Sequence, residues 1–263
     1  MPTTRLKDWI AQRIRDTPLF NPARVAYRAI FGAKLAAQRQ ACMRDFYSQF
    51  FRPQDIVFDI GANVGEYTEV FASLGATVIA VEPNPACLPK LRGLARKRPN
   101  VQMCECAVGD ALGWAKLLAC SESLYSSLNT EWVRETPNVE GYQNVKWTPV
   151  EVRVLTLDSL AAKYGQPTFI KIDVEGYERE VLHGMSFTPP YLSFEWNAPM
   201  ADVARDCIRF LGSRAYVFNC IHARKLAFLH ADWLSTVDAE RWLLTYAGTA
   251  ESSEYGDVFA RRL

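Results

Sequence analysis

From residue 55 onward the chain alternates short apolar runs with stretches whose apolar residues recur at helical spacing, the texture of repeated strand-helix units and a parallel sheet. IVFDI (56–60), TVIAVE (77–82) and VQMCECAV (101–108) read as the first three strands, and FIKID (169–173) and YLSFEW (191–196) as the next two. Helices are predicted over Glu66–Leu74 and Pro85–Arg96, with Gly75 stopping the first, and a further helix opens near Glu175. AYVFNC (215–220) and DVFARR (257–262) fall at the end of the pattern as an antiparallel pair. The expected fold is α/β and Rossmann-like, a seven-stranded, mostly parallel sheet with a late antiparallel strand.

Before residue 53 the pattern is helical only. Leu6, Trp9, Ile10 and Ile14 share a face until Thr17-Pro18 interrupts it, and Asn21-Pro22 reads as the start of a helix carrying Val25, Ala29, Met43, Phe46 and Phe50. Residues 1–52 are therefore expected to form a helical extension to a domain over 53–263. The interval from about 112 to 154 breaks the repeat, being rich in Trp, Tyr, Ser and Asn between strand-like WAKLLA and VEVRVL. It reads as an inserted ribbon and loop, the kind of irregular segment that forms substrate walls. Its Tyr125, Trp132, Tyr142 and Trp147 suit either stacking on a sugar or aromatic ring or a small core under the loop.

With 263 residues, 49% of them hydrophobic and 22% charged, the chain can bury one full α/β core and lies well away from the disordered regime. No apolar run reaches the roughly 18 residues of a membrane span, and MPTTRLKDWI lacks the apolar centre of a signal peptide, so a cytoplasmic location is expected. Seven cysteines form no CxxC pair and read as reduced core thiols; Cys104 and Cys106 have no second pair nearby with which to hold zinc. The net charge of +1 hides ten Lys/Arg against three Asp/Glu in residues 1–52. Such a segment reads first as a solvated helix face, and secondly as a peripheral contact with a membrane or an anionic carrier. No nucleic-acid partner is expected.

The candidate chemistry begins at Asp59-Ile-Gly61-Ala-Asn63-Val-Gly65, where an apolar strand ends and a helix begins, the place an α/β sheet opens a ligand crevice. Gly61 and Gly65 permit a tight turn and close backbone approach. Glu82 ends the second strand, where a carboxylate can accept hydrogen bonds from both ribose hydroxyls. After the third strand, Asp110 can accept the exocyclic amine of adenine, and the backbone of Ala107 and Val108 can read the ring edge. A nicotinamide dinucleotide favours G-x-G-x-x-G, with glycines admitting a pyrophosphate. Here an acid precedes the first glycine and the third glycine is missing, which suits a ligand with an ammonium group and no phosphate. S-adenosyl-L-methionine is such a ligand. An NAD(P)-dependent reductase and a non-catalytic adenosine-binding module are the alternatives.

In order and wording, FDIGANVG, VEPNP, AVGD, TLDSL, IKIDVEGYEREVLHG and LSFEW resemble the FkbM family of methyltransferases across about residues 53–262. The resemblance implies a class I methyltransferase fold and methylation of a hydroxyl on a sugar, glycoconjugate or small-molecule product. It implies Asp59, Gly61, Asn63, Gly65, Glu82 and Asp110 around the cofactor, and Asp173 and Glu175 at the reaction face. By position alone, FIKID delivers Asp173 to the carboxyl end of a central strand, while Glu175 at a helix start also suits the helix dipole. An alcohol needs its proton drawn off, and a carboxylate or histidine would do this. Glu195 and His183 are the further candidates, His183 also suiting a capping or packing role. A second mechanism sets Mg²⁺ among Asp173, Glu195 and Asn197 at the strand ends.

Overall fold

The computed structural model describes residues 36–120, 127–128, 147–223, 225–249 and 255–263. The chain divides into two compact units, Met1–Asp45 and Phe46–Leu263. In the first, residues 36–45 are described and are helical. The helices expected before residue 36 lie outside the described residues, as do Tyr125, Trp132 and Tyr142. The second unit begins earlier than residue 53 because Phe46, Tyr47, Phe50 and Phe51 are buried in its core. Phe50 stacks on Phe169 at 5.2 Å and on Phe259 at 5.1 Å, and Tyr47 meets Phe71 edge-on at 5.1 Å.

The main sheet contains β1 (Ile56–Ile60), β2 (Thr77–Val81), β3 (Val101–Cys104), β7 (Phe169–Ile172), β8 (Tyr191–Asn197), β9 (Tyr216–His222) and β10 (Tyr255–Arg262). Their spatial order is β3-β2-β1-β7-β8-β10-β9. The first five are parallel, and β10 runs antiparallel to both β8 and β9. This is the class I methyltransferase arrangement. The central strands are buried along nearly their whole length, as parallel strands covered on both faces must be. Covering helices are α1 (Glu66–Ser73), α2 (Leu88–Lys97), α3 (Leu157–Tyr164), α4 (Glu178–His183), α5 (Ala201–Gly212) and α6 (Thr236–Thr249). The apolar pattern did not single out α3, α5 or α6. A local signal for α3 was present: Thr156 and Ser159 close a reciprocal capping box. Among the described residues no helix is long and apolar enough to cross a membrane.

Two elements differ from the sequence expectation. The third strand does not run through to residue 108. The Cys106 amide donates to the Cys104 carbonyl at 3.0 Å, a tight turn that ends β3, and β4 (Ala107–Val108) leaves the main sheet. β4 pairs with β6 (Trp147–Leu155), which pairs antiparallel with β5 (Gly113–Cys120) in a separate three-stranded sheet. The helix after β7 opens at Glu178, not near Glu175. The Glu178 carboxylate accepts the amides of Val174 (3.1 Å) and Gly176 (3.2 Å), which fixes 173–177 as a loop. The strand order reverses between β1 and β7, whose neighbours continue in opposite directions, and this opens the crevice at their carboxyl ends.

Candidate functional site

One side of the crevice is built by the loop after β1. Asp59 is buried; Thr68 on α1 donates to its Oδ2 at 2.5 Å, while Oδ1 is buried with no hydrogen-bond partner. Burial pushes this carboxyl up from its ordinary value, and the Lys171 charge and the Thr68 hydrogen bond oppose the shift. Gly61 has φ +81°, and a Cβ there would lie 1.8 Å from the Asp173 carbonyl oxygen, so the two crevice loops meet backbone to backbone. Gly65, at φ +89°, leaves room for Leu91 and Leu94 of α2. Asn63 is also left-handed, at φ 50°.

Glu82 lies one residue past β2 and is buried. Its Oε2 accepts the Asn63 amide at 2.7 Å and its Oε1 the Asn84 amide at 2.8 Å. Burial pushes the carboxyl up to about 7 despite these two bonds. Each oxygen keeps further lone pairs for a ligand. Ala107 and Val108 are buried, so only their backbone can face a ligand, and Asp110 is exposed beyond β4.

The other side is a concentration of charge around β7. Lys171 stands between Asp59 on β1 and Ser193 on β8 in register, and it is 1% exposed. Its Nζ lies 2.6 Å from Asp173 Oδ2 and 4.1 Å from the centre of the Tyr67 ring. Burial works to discharge this ammonium, but Asp173, Tyr67, Asp257 and Asp59 together outweigh it and hold its pKa above the ordinary lysine value. Asp257 sits opposite Glu195 across the β10–β8 ladder, its carboxyl pushed up to about 6 by burial against the opposing pull of Lys171.

Asp173, Glu175 and Glu195 each place a carboxylate oxygen within 4.8 Å of the others. Glu175 is left-handed at φ 56°, and its carbonyl accepts the Ser127 hydroxyl at 2.7 Å. Burial, with Asp173 and Glu178 nearby, drives the Glu175 carboxyl well above the usual range; burial, with Glu175 and Asp173, does the same to Glu195. The Oε2 of Glu195 is buried without a partner.

Asp173, Glu175 and Glu195 are thus brought together, and Asn197 ends β8 two residues beyond Glu195. Its Oδ1 accepts the Met200 amide at 3.1 Å, capping the short helical turn that follows β8. His183 is exposed at the end of α4, its ring 5.0 Å from that of Phe210 on α5. Sequence reasoning missed Lys171, Tyr67, Asp257 and Glu178. For Lys171 a signal existed: a charged residue inside a strand that otherwise reads as fully buried needs partners.

The family described as Methyltransferase FkbM domain matches residues 59–218. This chain belongs to the FkbM methyltransferase family. The 31-O-demethyl-FK506 methyltransferase FkbM of Streptomyces tacrolimicus is 32% identical over 158 residues, which cover 51% of this chain and 60% of that protein. A ribosomal RNA small subunit methyltransferase A of Thermotoga petrophila is 45% identical over 51 residues, 19% of this chain and 20% of that one. Among solved structures, the precorrin-6y C5,15-methyltransferase of Geobacter metallireducens covers 88% of both chains at 13% identity and a TM-score of 0.43. The FkbM-family match begins at Asp59 and contains the glycine loop, Glu82 and all three clustered carboxylates.

The residues fit an adenosyl donor. Asp59 Oδ1 is an acceptor without a partner, suited to an ammonium, and Glu82 is an acidic acceptor held in place by the backbone amides of Asn63 and Asn84.

Proposed function

We propose that this FkbM-family chain is an S-adenosyl-L-methionine-dependent O-methyltransferase acting on a hydroxyl of a sugar, glycoconjugate or small-molecule product. The chemistry the donor supplies when bound is an electrophilic methyl group on a sulfonium. Glu82 would hold the ribose hydroxyls, Asp59 Oδ1 the ammonium, and the exposed Asp110 the adenine amine. The name of the Streptomyces tacrolimicus relative, which states a demethylated oxygen as its target, supports oxygen as the atom methylated here.

The observation that carries the reading is the unpartnered, buried Oε2 of Glu195 at the strand ends, beside Asp173 and Glu175. A hydroxyl bound there can donate to this oxygen. Burial, with Glu175 and Asp173 nearby, raises the proton affinity of this carboxyl, which suits it to take a proton, whereas Asp173 Oδ2 is already engaged by the Lys171 ammonium at 2.6 Å. Glu195 is therefore the group that draws the proton, while Asp173 and Glu175 orient the acceptor. A second reading has a specific observation behind it. Oxygens within 4.8 Å of one another can close on Mg²⁺, whose ligands at about 2.1 Å lie about 3 to 4 Å apart. The cation would then acidify the hydroxyl.

Calorimetry with S-adenosylhomocysteine and NADPH tests the donor half: binding of the first and not the second is expected, and the reverse result would overturn the assignment. Release of S-adenosylhomocysteine with a panel of hydroxylated acceptors tests the rest. Glu195→Gln should keep donor binding within a few-fold and lower turnover by about 10² to 10⁴. Loss of turnover with chelator, restored by Mg²⁺, selects the cation reading.

A further inference from the structure

We propose that Cys104 and Cys106 form a thiol modification site, a dithiol that a hydroperoxide oxidises to an intramolecular disulfide, loosening the seat of Glu82. Their sulfurs lie 3.3 Å apart. A disulfide requires about 2.05 Å, so closure needs a movement of only about 1.2 Å. The backbone is already shaped for it. Two residues of straight strand separate their Cα atoms by about 6.6 Å, near the limit for a disulfide, with both side chains on one face. The turn closed by the Cys106 amide on the Cys104 carbonyl, at 3.0 Å, shortens that span.

The two thiols are unequal in a way that orders the reaction. Cys104 is half-buried and reachable, whereas Cys106 is 2% exposed. Cys104, as the reachable one, is the attacking thiol; its hydrogen bond with Cys106, together with Tyr164, Lys163 and Arg153, lowers its pKa from the ordinary thiol value and favours the thiolate. It attacks a peroxide oxygen, the O–O bond breaks, and Cys104 becomes a sulfenic acid as the leaving oxygen departs as hydroxide or alkoxide. The Cys106 sulfur then displaces the sulfenic oxygen, which leaves as water with the Cys106 proton. Two electrons pass from the sulfur pair to the peroxide.

The link to the donor site is a single carbonyl. The Cys104 oxygen that accepts the Cys106 amide also accepts the Glu82 amide at 3.1 Å. Cys104 is in register with Val81, whose own carbonyl receives the amides of Gly61 and Ala62 at 3.0 Å each. Drawing Cys104 toward Cys106 therefore pulls on the peptide that seats Glu82. The consequence for the methyl donor rests on the function proposed above; the disulfide and the strain on the Glu82 amide do not.

The test treats the full chain with hydrogen peroxide and maps its non-reduced peptides. The expected product is a 104–106 disulfide, lighter by the two hydrogens lost, reversed by dithiothreitol and absent from Cys104→Ser. Cys106→Ala disturbs a buried position, so Cys104→Ser carries the comparison. Hydrogen exchange at the Glu82 amide should quicken on oxidation, and S-adenosylhomocysteine binding should weaken about tenfold, some 1.4 kcal/mol. Oxidation that stops at a sulfinic acid, or a disulfide that leaves Glu82 exchange unchanged, overturns the proposal. Absence of S-adenosylhomocysteine binding in the reduced chain would fell the donor reading instead, while peptide mapping and exchange would still decide this one.

Discussion

On the β2 side of the crevice, Glu82 is met by the amides of Asn63 and Asn84, and Asp59 by the Thr68 hydroxyl. On the β8 side, Glu195 keeps a buried oxygen with no partner, and Glu175 and Asp173 face it within 4.8 Å. The first set of acids is held by nearby backbone and needs a ligand only to use its remaining lone pairs. The second is acid against acid, countered on one flank by Lys171. Carboxylates left in that state raise their proton affinity or gather something positive or proton-donating. The contrast separates a preformed donor seat from a reaction face completed by what binds there.

The sharpest way to break this contrast is to remove the lysine. Lys171→Met leaves Asp59, Asp173 and Asp257 without their buried counter-charge and should destabilise the fold by about 3 to 5 kcal/mol near neutral pH. Urea unfolding reads the loss. It should shrink at pH 5, where the acids can take up protons in place of the ammonium. A loss below about 1 kcal/mol at pH 7.5 would mean that the charge around β7 is not organised by Lys171.

On the donor side the largest effect falls on binding, not folding. Glu82→Ala should weaken S-adenosylhomocysteine binding by about 2 to 4 kcal/mol, the worth of two charge-assisted hydrogen bonds, with thermal unfolding still cooperative. An unchanged dissociation constant in a folded variant would remove Glu82 from the donor seat.

These two residues also show what was legible in the chain. The Asp59 loop and Glu82 could be read because their signals are local: a glycine turn at a strand end, and an acid closing the next strand. The parallel strands could be read for the same reason. The company of Lys171 could not, because Asp59 reaches it through β1–β7 pairing, Tyr67 from α1, and Asp257 from β10, the last strand of the chain. Nor could the start of α4, since the side chain that fixes the preceding loop, Glu178, lies inside the helix. The same holds for the end of β3: VQMCECAV is apolar enough to continue, and only pairing of Ala107 and Val108 with β6 draws it away.

A smaller effect sharpens the contrast through pH. The folded value of Glu82, about 7, lies above the ordinary carboxylate value, so the ligand-free fold holds this proton more tightly than the unfolded chain does. Glu178, also pushed up to about 7 by burial, and Asp257, at about 6, act in the same direction. Their contribution is full below the unfolded pKa and is lost as pH rises through 6 and 7, so the ligand-free protein should melt lower at pH 8 than at pH 5.5. Ribose hydroxyls bond best to the deprotonated Glu82. S-adenosylhomocysteine affinity should therefore move the opposite way, falling by up to about tenfold per pH unit below 7. Affinity that is flat from pH 5.5 to 8 would show that Glu82 does not titrate on binding.

The smallest effect belongs to His183, the other side chain that would compete with Glu195 to draw the proton. The structure sets its ring 5.0 Å from Phe210 at the exposed end of α4, a packing contact between two helices, while the unpartnered oxygen lies on β8. His183→Ala should cost about 1 kcal/mol of stability, as loss of such a ring contact does, and leave turnover and donor affinity within about twofold. Guanidinium unfolding and S-adenosylhomocysteine release give the two numbers on the same preparation. If turnover instead falls about 100-fold with the fold intact, the proton is drawn from the end of α4. The carboxylates of the reaction face would then hold the acceptor without activating it, and the contrast between the two sides would reduce to one of binding.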